Sequence, residues 1–318
     1  MNALSITKSS TQRVMSKPKA VVLFGPTAVG KTAMTETLSY EGFEIINADS
    51  VQVYKGLDIG SAKPDKALQE KIPHHLVDIR DPRQQYTAGD FCNDAERLIS
   101  EINNRGRMPL ITGGTAYYFR QLIYGPSKTP AADLSVREKV NELISENGPE
   151  WAFSELERID PVSAGKIMRN DLYRISRALE VYYQSGKPLS LYAVSDEYRD
   201  DIDFLVIGLV RDKAILDERI EKRVDIMFDE GLYDEIKGLI SMGADSSWPG
   251  MQGIGYKEFI EAIESGETSV ASIKKEIVKN SKQYAKRQMT FFRSFKNVHF
   301  VDPDNVDLVR KLYEDFIR

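Results

Sequence analysis

The chain has 318 residues, 42% of them hydrophobic, and a formal net charge of -5, enough for one large core and a smaller one. That balance argues against a protein coated in nucleic acid, although a local basic surface can sit within such a total. The single cysteine, Cys92, excludes an internal disulfide and a cysteine-built zinc site, and the three histidines argue against a histidine metal centre. No run reaches the length of a membrane span, so the expectation is a soluble, cytoplasmic protein.

Residues 1–19 are polar and basic without the apolar stretch of a secretory signal, and read as a solvated tail. Val21 to Phe24 is an apolar, β-branched run that reads as a buried strand. It empties into Gly25, Pro26, Thr27, Ala28, Val29, Gly30, Lys31 and Thr32, which match Gly-x4-Gly-Lys-Ser/Thr at every position, and a helix follows from Ala33. Strand, loop and helix form a phosphate cradle: backbone N–H groups converge on an anion, the helix N-terminus adds positive potential and Lys31 a point charge. The Thr32 hydroxyl stands where a magnesium ion would sit.

Phe43 to Asp49 reads as a second strand ending on a carboxylate. Ligands of open α/β sheets lie beyond the carboxyl ends of the strands, so Asp49 either faces the phosphate loop or caps a following helix. Tyr54 to Lys71 is a loop with at most one short helix, and His74 to Ile79 reads as a third strand whose histidines are structural. Ala88 to Asn104 is an amphipathic helix with Phe91, Ala95, Leu98 and Ile102 on one stripe. Met108 to Thr115 is a fourth strand running into Gly113 and Gly114, which serve either close approach to a ligand or packing of strand against helix.

Strand–helix alternation stops at Gly125. Ser135 and Glu138 fit a capping box for a helix with Val136, Val140, Leu143 and Ile144 on one face. Asp160-Pro161 fits an N-cap with proline at the first helical position. Asn170 to Tyr183 reads as a further helix burying Leu172, Ile175, Leu179 and Tyr182, with Arg174 and Arg177 on neighbouring surface. Asp203 to Val210 resumes the sheet, Leu216, Ile220, Val224 and Met227 stripe a helix, residues 267–295 form one long helix, and Val298 to Val301 is a last strand. The expected class is therefore α/β: a P-loop parallel sheet flanked by helices (20–125 and 202–318) with an all-helical insertion (126–201).

Between Lys274 and Lys296 the long helix carries eight lysines or arginines against one glutamate, with Lys275, Lys279, Lys282 and Lys286 on one face. Tyr284, Phe291, Phe292 and Phe295 are interleaved. Such a stripe is either a footprint for a polyanion or a solvated face. Nucleotide-hydrolysing P-loop proteins also need a magnesium-binding acid at a strand end. Here Met108 to Ile111 leads into Thr-Gly-Gly-Thr, and Asp78 is the substitute within reach.

Seven co-linear segments resemble one family, the tRNA dimethylallyltransferases (tRNA isopentenyltransferases). They are residues 25–32, 47–64 (Asn-Ala-Asp-Ser-Val-Gln-Val-Tyr-Lys-Gly-Leu-Asp-Ile-Gly-Ser-Ala-Lys-Pro), 74–79, 113–118 (Gly-Gly-Thr-Ala-Tyr-Tyr), 174–181 (Arg-Ile-Ser-Arg-Ala-Leu-Glu-Val), 255–258 and 283–293 (Gln-Tyr-Ala-Lys-Arg-Gln-Met-Thr-Phe-Phe-Arg). Ser61 stands where the family usually has Thr, and Phe291 where it usually has Trp. The zinc finger of eukaryotic members is not seen, so the likeness is to the bacterial type.

The resemblance implies magnesium-dependent transfer of a dimethylallyl group from dimethylallyl diphosphate to N6 of the adenine just 3′ of the anticodon, in tRNAs reading codons that begin with U. The loop is usually described in nucleotide- and ATP-binding terms, yet no ATP is consumed. The reading makes Lys31 and Thr32 stabilisers of the leaving diphosphate, Asp49 the general base and Thr115 a polar contact at the reacting centre. Asp49, Ser50, Val51 and Gln52 would read the base. Arg137, the segment Tyr173, Arg174, Ile175, Ser176 and Arg177, and Lys282, Lys286 and Arg287 would meet the tRNA anticodon stem-loop. A monomer is expected. Two rivals are an adenylate isopentenyltransferase acting on free nucleotide, and a P-loop nucleoside kinase.

Overall fold

The computed structural model describes residues 17–38, 42–192, 195–267 and 269–318; the tail expected over 1–19 lies almost wholly outside them. The chain forms two compact units, one of residues up to 119 and from 200 on, the other of residues 120–199.

In the first unit, β1 (Lys19–Phe24) leads through the loop to α1 (Lys31–Leu38), β2 (Phe43–Asn47), α2 (Lys66–Lys71) and β3 (His74–His75). There follow α3 (Ala88–Asn104), β4 (Met108–Gly113) and α4 (Ala116–Tyr124), whose last turn crosses the unit boundary. The sheet order is β3-β2-β4-β1-β5-β6, every pair parallel, where β5 is Asp203–Leu209 and β6 is His299–Val301. β1 is central and buried from Ala20 to Phe24, as an apolar strand covered on both faces should be. A capping box between Thr87 and Asp90 starts α3, whose stripe is buried throughout. The remaining helices of this unit are α9 (Lys213–Asp229), α10 (Leu232–Ser241), α11 (Lys257–Ser265), α12 (Val270–Phe292) and α13 (Val306–Ile317).

The second unit packs α5 (Leu134–Asn147), α6 (Pro149–Ile159), α7 (Pro161–Ala164) and α8 (Leu172–Ser185) around Val140, Phe153, Leu156, Ile175 and Leu179.

Several expectations need correction. β3 ends at His75 because Leu76 (φ 64°) and Asp78 (φ 55°) take left-handed backbone, and the chain runs back along residues 52–53. The cap of α5 is Asp133, whose carboxylate accepts from Ser135 N and Val136 N, so Ser135 lies inside the first turn. Leu172 is exposed at the first position of α8. Phe292 and Phe295 are core residues: Phe292 stacks on Phe24 at 4.2 Å between ring centroids. Periodicity misses α4, α10 and α13. α4 has almost no polar face, and α10 starts after Gly231 (φ 101°) with no capping side chain.

Candidate active site

β1 delivers the phosphate loop to the carboxyl edge of the sheet. Gly25 is confined there, since a Cβ would stand 2.9 Å from the Leu209 carbonyl oxygen. Ala28 (φ 61°) and Gly30 (φ 120°) turn the chain so that successive amides face inward. Two loop amides are already used: Thr27 N–H donates to Gln288 Oε1 (2.9 Å) and Val29 N–H to the Pro26 carbonyl (3.3 Å). Among the described residues nothing takes those of Ala28, Gly30, Lys31 and Thr32, which remain for an anion. Arg219 Nε, from α9, donates to the Ala28 carbonyl (2.7 Å), and Arg211, bidentate with Asp304, reaches the Val29 carbonyl (3.4 Å). The Lys31 ammonium donates to the carbonyls of Gly25 (3.0 Å) and Pro26 (2.9 Å). Burial and the nearby Arg223 guanidinium lower its pKa to about 7, against the opposing pull of Asp49.

A cavity of about 610 Å³ opens on this loop, and a second of about 350 Å³ lies against Ser50, Val51, Gly253 and Arg287. Thr27, Asp49, Arg223 and Tyr284 line both. Asp49 combines the two roles its position allows. Oδ1 accepts from Val51 N (2.9 Å) and Gln52 N (3.3 Å), capping the turn after β2, while Oδ2 accepts from no donor among the described residues. Thr115 lies alongside: its hydroxyl accepts from Ser50 N (2.9 Å) and donates to Ser50 Oγ (3.2 Å). Through these two bonds Thr115 braces the turn that carries Asp49. The glycines divide the roles left open. Both line the larger cavity, but at Gly113 a Cβ would also fall 2.2 Å from the Ala48 carbonyl oxygen, whereas Gly114 has the Gln288 amide and Asp49 Oδ2 beside it.

The sequence reading misses Arg219, Arg223 and Gln288. The two arginines sit between the apolar positions of α9, where a stripe analysis sees only solvent-facing polarity. Arg223 Nη1 donates to Thr27 Oγ1 (3.1 Å), and burial lowers its pKa despite Asp49. Gln288, on α12, is 3% exposed and ties Thr27 N to the Gly114 carbonyl (2.7 Å). Asp78 does not serve as a strand-end metal acid: it lies in the left-handed turn after β3 and pairs with Lys63.

The residues expected to meet RNA are variously placed. Tyr173 is 80% exposed and Arg174, also exposed, reaches Asp171 (3.4 Å), but Ile175 is in the helical core and Ser176 donates to the Tyr173 carbonyl. Arg137 and Arg177 share the buried Glu180, at 3.1 and 3.0 Å. On α12, Lys274 pairs with Asp225, Lys279 with Glu276 and Lys282 with Glu221. Lys286 and Arg287 are exposed without a carboxylate partner among the described residues. Arg287 lies over the Tyr284 ring at 5.9 Å.

No group of three or more His, Cys, Asp or Glu side chains among the described residues is arranged for a metal. Magnesium needs none when phosphates and water supply most of its shell. Thr32 is exposed on the larger cavity, in the same wall as Asp49.

Fold and loop together define an α/β protein of the P-loop class. A family model described as IPP transferase matches residues 52–295. The chain is 41% identical over 291 residues to the tRNA dimethylallyltransferase of Borrelia turicatae, covering 92% of this chain and 96% of that one. It is 38% identical over 304 residues to that of Geobacter sulfurreducens, covering 95% and 97%. Among solved structures it is similar to a tRNA isopentenylpyrophosphate transferase from Bacillus halodurans (TM-score 0.66, 36% identity, 94% and 95% coverage). It is also similar to a eukaryotic dimethylallyltransferase acting on tRNA (TM-score 0.77, 28% identity, 95% and 80% coverage). The chain belongs to the tRNA dimethylallyltransferase (IPP transferase) family, and is a transferase.

Proposed function

We propose that this chain transfers a dimethylallyl group from dimethylallyl diphosphate to N6 of the adenine immediately 3′ of the anticodon, in tRNAs that read U-starting codons, with release of diphosphate. The observation that carries this reading is Asp49, which stands on the wall common to the phosphate-loop cavity and its neighbour. A diphosphate ester held by the loop and an amine entering from the second cavity would meet at that carboxylate.

The exocyclic amine of adenine is a weak nucleophile, because its lone pair is delocalised into the ring. The N6–C1 bond forms as the allylic C1–O bond breaks; the leaving oxygen keeps the electron pair and the amine proton passes to Asp49 Oδ2. The amides of Ala28, Gly30, Lys31 and Thr32, with Lys31 and Arg223, are aimed where negative charge grows. Magnesium at Thr32, when bound, adds Lewis-acid stabilisation of the diphosphate. Asp49 contributes general-base catalysis, worth roughly 10²–10⁴-fold. An adenine stacked in an anticodon loop must turn out to reach the second cavity. Exposed Lys286 and Arg287 would hold the stem-loop's backbone, positioning without specifying; exposed Tyr173 and Arg174 are a separate RNA contact offered by the helical unit. We take the protein to act as a cytoplasmic monomer.

The test is incubation with labelled dimethylallyl diphosphate and tRNA, followed by nucleoside mapping. Label in an N6-substituted adenosine beside the anticodon supports the reading; stoichiometric ATP consumption, or modification of free adenylate alone, overturns it.

A further inference from the structure

Gln52 lines the phosphate-loop cavity, three residues beyond Asp49. Its Nε2 donates to two carbonyls, those of Ser61 (3.1 Å) and Ala62 (3.0 Å). Both amide hydrogens are therefore spent, and only Oε1, an acceptor, is left to offer a ligand. A glutamine free to flip could present either end of its amide and would tell an amino group from a keto group poorly.

The turn that sets this orientation is itself held from outside the cavities. Glu235, in the first turn of α10, accepts from three consecutive amides: Asp58 N (3.1 Å) and Ile59 N (2.8 Å) at Oε2, and Gly60 N (3.2 Å) at Oε1. Three converging amides form a nest of the kind that binds anions, here filled by the protein's own carboxylate. Tyr256, fully buried, donates its hydroxyl to Glu235 Oε1 (2.8 Å) and accepts from Ser61 N (3.2 Å). Its ring leaves no space for a side chain at Gly60, where a Cβ would lie 2.6 Å away. Ala62 is held at φ 48°, backbone that alanine rarely adopts unaided.

We infer that Glu235 and Tyr256 are positioning residues for base selection: by fixing the 58–62 turn they lock the Gln52 amide with its oxygen outward, so that the site accepts an amino-bearing purine edge and rejects a keto one. The inference rests on the proposed reaction, because it assumes that the purine, entering by the second cavity, carries its amino edge past Asp49 to the larger cavity, where Gln52 lies. Neither residue lines the larger cavity; each acts through the turn.

The test compares anticodon stem-loops carrying adenosine or inosine at the target position. Binding is measured to the full chain and to Tyr256→Phe, Gln52→Ala and the double variant. Tyr256→Phe keeps the ring and removes only the hydroxyl link. It should reduce the adenosine-over-inosine preference by roughly three- to tenfold, the scale of one lost hydrogen bond, with the fold retained at a modestly lower melting temperature and an unchanged KM for dimethylallyl diphosphate. Gln52→Ala should remove the same preference, and the double variant no more than either alone, because both act on one interaction. Glu235→Ala should follow Tyr256→Phe, and Glu235→Gln should restore part of the preference. Full preference in Tyr256→Phe, or additive losses in the double variant, overturns the inference. If the unaltered chain transfers no dimethylallyl group to the adenosine stem-loop, the proposed function fails instead.

Discussion

The phosphate loop and the basic helix α12 are the two strongest signals in the sequence, and they turn out differently. In the loop, meaning lies in the backbone: four inward amides are left over after Gln288 and Pro26 have taken theirs. On α12 the meaning depends on neighbours, and Asp225, Glu276 and Glu221 take up three of its lysines. A motif defined by glycine positions carries its geometry with it. A charge run does not, because two of these three partners, Asp225 and Glu221, come from α9.

The sharpest way to break this contrast is at the acid that faces the loop across the cavity lining, Asp49. Asp49→Asn keeps the cap on Val51 N but removes the base, and kcat should fall by roughly 10²–10⁴-fold with stem-loop affinity little changed. A near-native kcat in single-turnover assays would leave Asp49 a cap only.

The next effect concerns Lys31, whose pKa stands at about 7 instead of 10.5. A bound diphosphate favours the charged form, so binding at pH 8 should take up a proton, visible as calorimetric heats that vary with buffer ionisation enthalpy. Affinity should weaken as pH rises past about 7 and the ammonium is lost; Lys31→Ala should abolish the uptake. The stability sign is opposite. Above pH 7 the unfolded chain holds the proton that the folded one has lost, so this group's contribution increases stability as pH rises toward 10.5.

Smaller again is the expected loss from the unpaired end of α12. Lys286→Ala with Arg287→Ala should weaken all substrate tRNAs about equally and lower the salt slope by roughly one unit per lost phosphate contact. The smallest effect belongs to Lys282→Ala, whose charge is already opposed by Glu221. Such an exposed pair is worth about 0–1 kcal/mol, and titrations of tRNA against salt should barely distinguish it from the unaltered chain. Equal slopes for the two substitutions would erase the distinction between paired and unpaired lysines.

What was legible in the sequence follows the same division. The parallel sheet, α3, the apolar stripe of α9 and the loop were readable because each rests on local periodicity or on glycines at fixed spacing. Asp49 was readable as a strand-end acid, though not that its two oxygens divide the work. Arg223 and Gln288 were not, because they reach Thr27 from 196 and 261 positions away. Ile175 went wrong for the complementary reason: it lies between Arg174 and Arg177 in sequence, yet a helix turns it into the core.

Gly113 adds a constraint on how such a site can change. Its α-carbon abuts the Ala48 main chain, and Thr115 N–H donates to the Ala48 carbonyl (3.1 Å). The gap between the turn bearing Asp49 and the turn bearing Thr115 is thus gauged by peptide against peptide, with no side chain to trim or extend. A designer seeking room for a bulkier prenyl donor gains nothing by resizing residues at that seam. Space must come instead from side chains elsewhere in the cavity lining, such as Ile226 on α9.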